Sequence, residues 1–338
     1  MRKKLLLLSF ALFHSALFSQ ATTLINGAGA TFPYPLYSRW FSDYQKVSPT
    51  TQINYQSIGS GGGIRQFTDK TIDFGATDSP MTDEQLKKVG EPVIHIPTAI
   101  GSVVVSYNLP NQKKLKLNSD LIAAIFLGDL KKWEDPRLKK LNPDLSVSGD
   151  IVVIHRSDGS GTTAVFTDYL AKVSPQWKEK VGTGTSVKFP VGLGGKGNEG
   201  VAGLIKQTPL SLGYIEFVYA KTNQLPVSTL QNAKGEFVEP TLASLTAAAN
   251  AMMGSMPQDY RLSITNSAGK GSYPLSSFTY LLIRQDMSGS EKGTALVGFL
   301  KWALKEGQKT AAALEYAPLP AALEKKLQNT VQTIKVAK

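Results

Sequence analysis

Three times along this 338-residue chain, a strand-like run ends in glycines and hydroxyl residues and passes straight into a helix-like pattern. Leu24-Ile25-Asn26 leads through Gly27-Ala28-Gly29-Ala30-Thr31-Phe32-Pro33 into Pro35-Leu36-Tyr37-Ser38-Arg39-Trp40-Phe41. The alternating run from Gln52 to Ile58 leads through Gly59-Ser60-Gly61-Gly62-Gly63 into Ile64-Arg65-Gln66-Phe67. The apolar run Ile151-Val152-Val153-Ile154 leads through Arg156-Ser157-Asp158-Gly159-Ser160-Gly161-Thr162-Thr163 into Ala164–Leu170. A chain built this way folds as α/β layers, with its turns gathered beyond the carboxyl ends of the strands.

Such turns carry chemistry. A helix start leaves backbone N–H groups free and presents the positive end of the helix dipole. Glycine lets the backbone approach a ligand closely, and Ser and Thr add donors. Arg156 adds charge. Three such units predict a site that grips a small oxyanion. Asp78, in Gly75-Ala76-Thr77-Asp78-Ser79-Pro80, reads either as a helix N-cap or as the one acceptor in a donor-lined site.

Strand-like runs also occur at 71–76, 93–96, 103–107, 187–189, 213–215 and 280–283. Helix-like runs cover 81–89, 118–126, 199–206, 294–305 and 323–335. The alternation predicts α/β lobes with open sheets, and no composition shift marks a lobe boundary.

Residues 1–21 read as a cleaved secretory signal peptide: basic Arg2-Lys3-Lys4, a short apolar core from Leu5 to Phe13, and Ser19-Gln20-Ala21 at the cut. No later run is apolar enough to span a membrane. With no cysteine there is no disulfide, thiolate metal site or lipid-modified cysteine. The expected location is therefore the periplasm, without a lipid anchor. The formal charge is +11, with lysines scattered in doublets such as Lys131-Lys132. This argues for small anions over nucleic acid, since no basic arm or helix interleaved with aromatics is present.

Competing chemistries are weak. Gly192-Leu193-Gly194-Gly195-Lys196-Gly197 satisfies G-x-G-x-x-G, with Glu216 further on, but it lies mid-chain in a glycine-rich sequence. A P-loop fails at Pro190 and Gly197. A nucleophile elbow fails because Asp158 and Thr162 stand where glycines belong. Beyond the leader only His95 and His155 remain, too few for a zinc site and poorly placed for a catalytic base.

The chain resembles the periplasmic phosphate-binding protein of the ABC-type phosphate importer. The resemblance spans 22–338 and rests on Gly27–Pro33, Ile58–Gly62, Asp73–Asp78, Asp158–Thr162, Val181–Gly184 and Gly192–Asn198. It implies a non-enzymatic, monomeric, cofactor-free and metal-free binder that closes by a hinge and hands phosphate to a membrane permease. It implies a first lobe from 22–100 and 275–338 and a second from 101–274, with crossings near Ile100-Gly101 and Tyr273-Pro274. It further implies phosphate contacts from Ala30, Thr31, Phe32, Ser60, Asp78, Arg156, Ser160, Gly161 and Thr162. Thr31 and Phe32 would offer backbone N–H groups. Ser60, Ser160 and Thr162 would donate from side chain and backbone. Asp158 would hold Arg156, and Asp78 would accept the phosphate proton. Two positions depart from the family pattern: Gly61 replaces a frequent serine and His155 a frequent arginine. A receptor for another oxyanion and a secreted phosphate-ester hydrolase are the alternatives.

Overall fold

Eight strands hydrogen-bond into one mixed sheet, and a single long strand holds its two halves together. The computed structural model describes residues 22–111 and 114–337, so the expected leader lies outside the described residues. The strands are β1 (Thr23–Gly29), β2 (Thr51–Ser57), β3 (Phe74–Thr77), β4 (Val93–Asn108), β5 (Val152–Arg156), β6 (Leu193–Gly195), β7 (Ser211–Glu216) and β8 (Ser276–Arg284). Their order is β2-β1-β3-β8-β4-β7-β5-β6.

The strand β4 was expected as two strands, because Pro97 and Gly101 interrupt its apolar pattern. It is instead one strand of 16 residues. Residues 93–102 pair antiparallel with β8, and residues 103–108 pair antiparallel with β7. Pro97 is accommodated at a bulge: Tyr280 faces Pro97, but Thr279 faces Ala99. An extra residue there removes the need for a proline N–H in the ladder.

Each half of the sheet carries its own helices and forms a lobe. In the first, α1 (Tyr34–Val47) buries Leu36, Tyr37, Trp40, Phe41 and Tyr44. That is the one-face spacing of a 3.6-residue period. Phe41 packs 5.2 Å from the Phe299 ring, and Trp40 Nε1 donates to Gly307 O at 3.0 Å. Next come α2 (Ser60–Thr68) and α3 (Asp83–Val89). In the second lobe, α4 (Gly161–Val173) and α5 (Gly197–Gln207) cover the sheet. Phe166 stacks on Tyr214 with ring centroids 4.3 Å apart.

Other expectations need correction. Residues 187–189 form no strand. Phe189 is instead a packing loop residue, stacked on the His155 ring at 4.4 Å, and the edge strand is β6. Helix Leu242–Met252 was not anticipated, although Thr241 and Ser244 form a capping box at its start.

A loop from Pro257 to Thr265 straps the lobes together. Tyr260 Oη meets Thr330 Oγ1 at 2.6 Å, and Arg261 Nη1 donates to Met81 O at 3.0 Å, both on the first lobe. Two residues on, Ser263 Oγ donates to Asp168 Oδ2 at 2.6 Å in α4, and Lys172 Nζ donates to Thr265 Oγ1 at 2.7 Å. Among the described residues, no helix is long and apolar enough to cross a membrane.

Candidate anion-binding site

All three glycine/hydroxyl turns converge where the two lobes meet. Strand β5 ends at Arg156, whose N–H donates to Tyr214 Oη at 3.2 Å. The Arg156 side chain is only 1% exposed. Nε donates to Asp158 Oδ1 at 2.8 Å and Nη2 to Asp158 Oδ2 at 2.6 Å. Two parallel contacts of this kind fix a guanidinium in orientation as well as charge. Nη1 then points the other way, toward Thr31 Oγ1 at 3.2 Å and Thr162 Oγ1 at 3.3 Å. Burial pushes the Asp158 carboxyl up, but Arg156 and the Gly197 N–H together hold it below the usual carboxylate range. That Gly197 N–H donates to Asp158 Oδ1 at 3.0 Å. The glycine-rich stretch that mimics a dinucleotide fingerprint therefore serves to anchor Asp158.

Ser160 caps α4: its Oγ accepts from the Thr163 N–H at 3.0 Å. Capping and donation are compatible, since the hydroxyl keeps its own proton. Its backbone N–H, expected to face the anion, instead donates to Thr185 O at 2.7 Å. The N–H groups of Gly161 and Thr162 open α4 and have no acceptor among the described residues. The same holds for Thr31 and Phe32 before α1 and for Ser60 at the start of α2. Ala30 is engaged on both sides: its N–H donates to Ala76 O at 3.0 Å, and its carbonyl accepts from Tyr55 Oη at 2.7 Å. It packs the wall and offers no free donor.

Asp78 is 2% exposed and is not a helix cap, since Thr82 caps the following helix α3. Its Oδ1 accepts from Thr279 Oγ1 at 2.8 Å, and Oδ2 lies 3.4 Å from Ser60 Oγ. Burial raises this carboxyl to about 7, against the opposing pull of Thr279, Arg156 and Ser60. A Cβ on Gly161 would clash with Ser60 Oγ and Asp78 Oδ2, so glycine is required for α4 to approach this close.

The lobes touch directly. Gly61 N–H donates to Gly159 O at 2.8 Å, and a Cβ at Gly61 would lie 3.0 Å from Gly159 Cα. The absence of a side chain at Gly61 thus lets the two turns meet backbone to backbone. Tyr219 Oη donates to Thr31 O at 2.6 Å from the opposite lobe.

Asn198 was not among the expected site residues. It is fully buried, and its Nδ2 donates to Thr31 Oγ1 at 2.7 Å and to Thr162 Oγ1 at 3.2 Å. Its place beside the Gly192–Gly197 stretch was the available signal. Among the described residues, no group of three His, Cys, Asp or Glu converges as a metal site would require. His95 instead accepts from the Met81 N–H at 3.1 Å, and burial lowers its ring to about 4.

A PBP superfamily domain matches residues 18–306. The chain is 47% identical over 307 residues to "Phosphate-binding protein PstS" of Haemophilus influenzae, covering 90% of this chain and 91% of the relative. This chain belongs to the PstS family. A PstS of Methanocaldococcus jannaschii is 40% identical over 339 residues, covering 93% of this chain and 87% of the relative. Among solved structures, the high-affinity periplasmic phosphate-binding protein PfluDING, bound with phosphate, superposes with a TM-score of 0.74 at 22% identity. The match covers 91% of this chain and 93% of that one, and it supports the two-lobed fold.

Proposed function

We propose that the protein binds inorganic phosphate between its lobes and delivers it to the membrane permease of an ABC-type importer. The observation that carries this reading is the composition of the inter-lobe turns. Nη1 of Arg156, the hydroxyls of Thr31, Ser60, Ser160 and Thr162, and five unpaired N–H groups surround one buried acceptor, Asp78. That pattern suits an oxyanion that still carries a proton. The names of the PstS relatives support it further.

In this reading the first lobe comprises 22–100 and 275–338, the second comprises 101–274, and the chain crosses near Ile100-Gly101 and Tyr273-Pro274. The switch of β4 from β8 to β7 between Ser102 and Val103 supports the first crossing. The lobes close by a hinge around the ion, as periplasmic binding proteins do. The protein acts in the periplasm after loss of its leader, as a monomeric binder and not an enzyme.

Calorimetric titration tests this. One phosphate should bind per chain, with a Kd of about 1 μM or tighter, unaffected by EDTA, and arsenate should compete. Two sites, or a signal abolished by the chelator, would refute it. Turnover of a chromogenic phosphate ester would favour the hydrolase reading instead.

A second expectation follows from the contact at Gly161. Gly161→Ala inserts a methyl between α4 and Asp78 and should hold the lobes apart. Phosphate affinity should fall by about 1–3 kcal/mol while the melting temperature of the unliganded protein stays close to wild type. Unchanged affinity would mean that α4 does not approach Asp78 this closely when phosphate is bound.

A further inference from the structure

We infer that Asn198 is a positioning residue that turns the hydroxyl protons of Thr31 and Thr162 toward the anion; this rests on the phosphate reading above. Each hydroxyl has one proton and two acceptor lone pairs. Thr31 Oγ1 already accepts from Arg156 Nη1 at 3.2 Å and Asn198 Nδ2 at 2.7 Å, with the Asn198 N–H at 3.4 Å. Thr162 Oγ1 accepts from the same two groups, Arg156 Nη1 at 3.3 Å and Asn198 Nδ2 at 3.2 Å. The four atoms form a closed ring: arginine donor, hydroxyl, amide donor, hydroxyl. With their acceptor sites filled from within the ring, both hydroxyls must send their protons out of it. Neither finds an acceptor among the described residues.

The orientation of the amide is set independently. Asn198 Oδ1 accepts from the Glu216 backbone N–H at 2.9 Å, which can only donate. Nδ2 must therefore face the hydroxyls, and the ambiguity that usually attends an asparagine amide is removed. Glu216 is itself fully buried at the end of β7, and its Oε2 accepts from the Val218 N–H at 2.9 Å. The support behind Asn198 is thus backbone fixed by the sheet, the kind of second layer that keeps a binding group in one geometry. Thr31 belongs to the first lobe, whereas Asn198, Arg156 and Thr162 belong to the second. The ring is complete only when the lobes meet, so the hydroxyls are aimed at the moment of closure.

The test is a mutant cycle read by phosphate titration. Asn198→Ala should weaken phosphate binding by about tenfold or more. In a Thr31→Val, Thr162→Val background the same substitution should change affinity by less than about threefold, because there is no hydroxyl left to orient. Asn198→Asp should bind more weakly than Asn198→Ala, since its carboxylate would draw both protons away from the anion. An undiminished Asn198→Ala effect in the valine background would overturn the inference, as would a wild-type-like affinity of Asn198→Ala itself. A measurement on the wild-type protein stands beside these should any variant fail to fold. Nuclear magnetic resonance of the phosphate-bound form should show both threonine hydroxyl protons coupled to phosphorus, and absence of that coupling would also overturn it. Wild type that does not bind phosphate would refute the function; wild type that binds, with an additive cycle, would refute only the role of Asn198.

Discussion

Arg156→Ala should weaken phosphate binding by about 2–5 kcal/mol, roughly 30- to 5,000-fold. Two effects add. The substitution removes the buried cation whose Nη1 faces the two threonine hydroxyls. It also leaves Asp158, whose side chain is 13% exposed, without its two-pronged partner and beside an incoming anion. These effects can be separated. Asp158→Ala added to Arg156→Ala removes the orphaned carboxylate and should recover part of the loss. Arg156→Lys should recover less than half of it, because an ammonium cannot span both Asp158 oxygens and still reach Thr31 and Thr162. Titration of the three variants with phosphate provides the check. An alanine variant within about threefold of wild type would place Arg156 outside the binding interaction.

Asp78→Asn should change selectivity more than affinity. Phosphate keeps a proton near neutral pH and sulfate keeps none, so an ionised Asp78 would meet sulfate acceptor to acceptor. A buried mismatch of that kind costs about 1–3 kcal/mol, and more when both groups are charged. Asparagine supplies a donor in place of one oxygen and should admit sulfate. The raised carboxyl adds a pH signature. With a value of about 7, wild-type Asp78 is protonated below neutrality and can itself donate. Sulfate exclusion should therefore be firm well above pH 7 and weaken as the pH falls through it, whereas Asp78→Asn should show no such dependence. Stability follows the same sign. Between about pH 4 and 7 the native protein holds a proton that the unfolded chain has released. This contribution to the stability of the unliganded protein is full below about pH 4 and is lost as the pH rises through 7. Competition titration with sulfate on both sides of neutrality decides it. Equal exclusion by wild type and Asp78→Asn at high pH would place selectivity elsewhere.

Local pattern made the three turns legible, because glycine, hydroxyl and helix-start signals are properties of neighbouring residues. Arg156, Asp158 and Asp78 stood out for the same reason. What was hidden depends on contacts between distant segments. The N–H groups of Ala30 and Ser160 could be counted as free donors only until Ala76 and Thr185 were placed beside them. Asn198 stands beside a glycine-rich stretch, but its partner Thr31 is 167 residues away, so its role could not be read locally. The continuity of β4 was masked by Pro97, a strand breaker that a bulge opposite Thr279 renders harmless. The bulge in turn adjoins the residue whose hydroxyl holds Asp78.

The sharing of β4 has a consequence for how the molecule comes apart. Residues 93–102 complete the sheet of one lobe and residues 103–108 complete that of the other. Neither lobe can lose this strand without exposing a fresh row of unpaired backbone groups in its neighbour. Ordinarily two domains of one chain unfold in separate steps when little joins them. Here the joint is itself part of both cores, with Ile96, Ile100, Val103 and Val105 all fully buried. Denaturation should therefore run through the whole protein as one cooperative event. A continuous buried strand shared by both halves of the sheet binds their folding into a single fate.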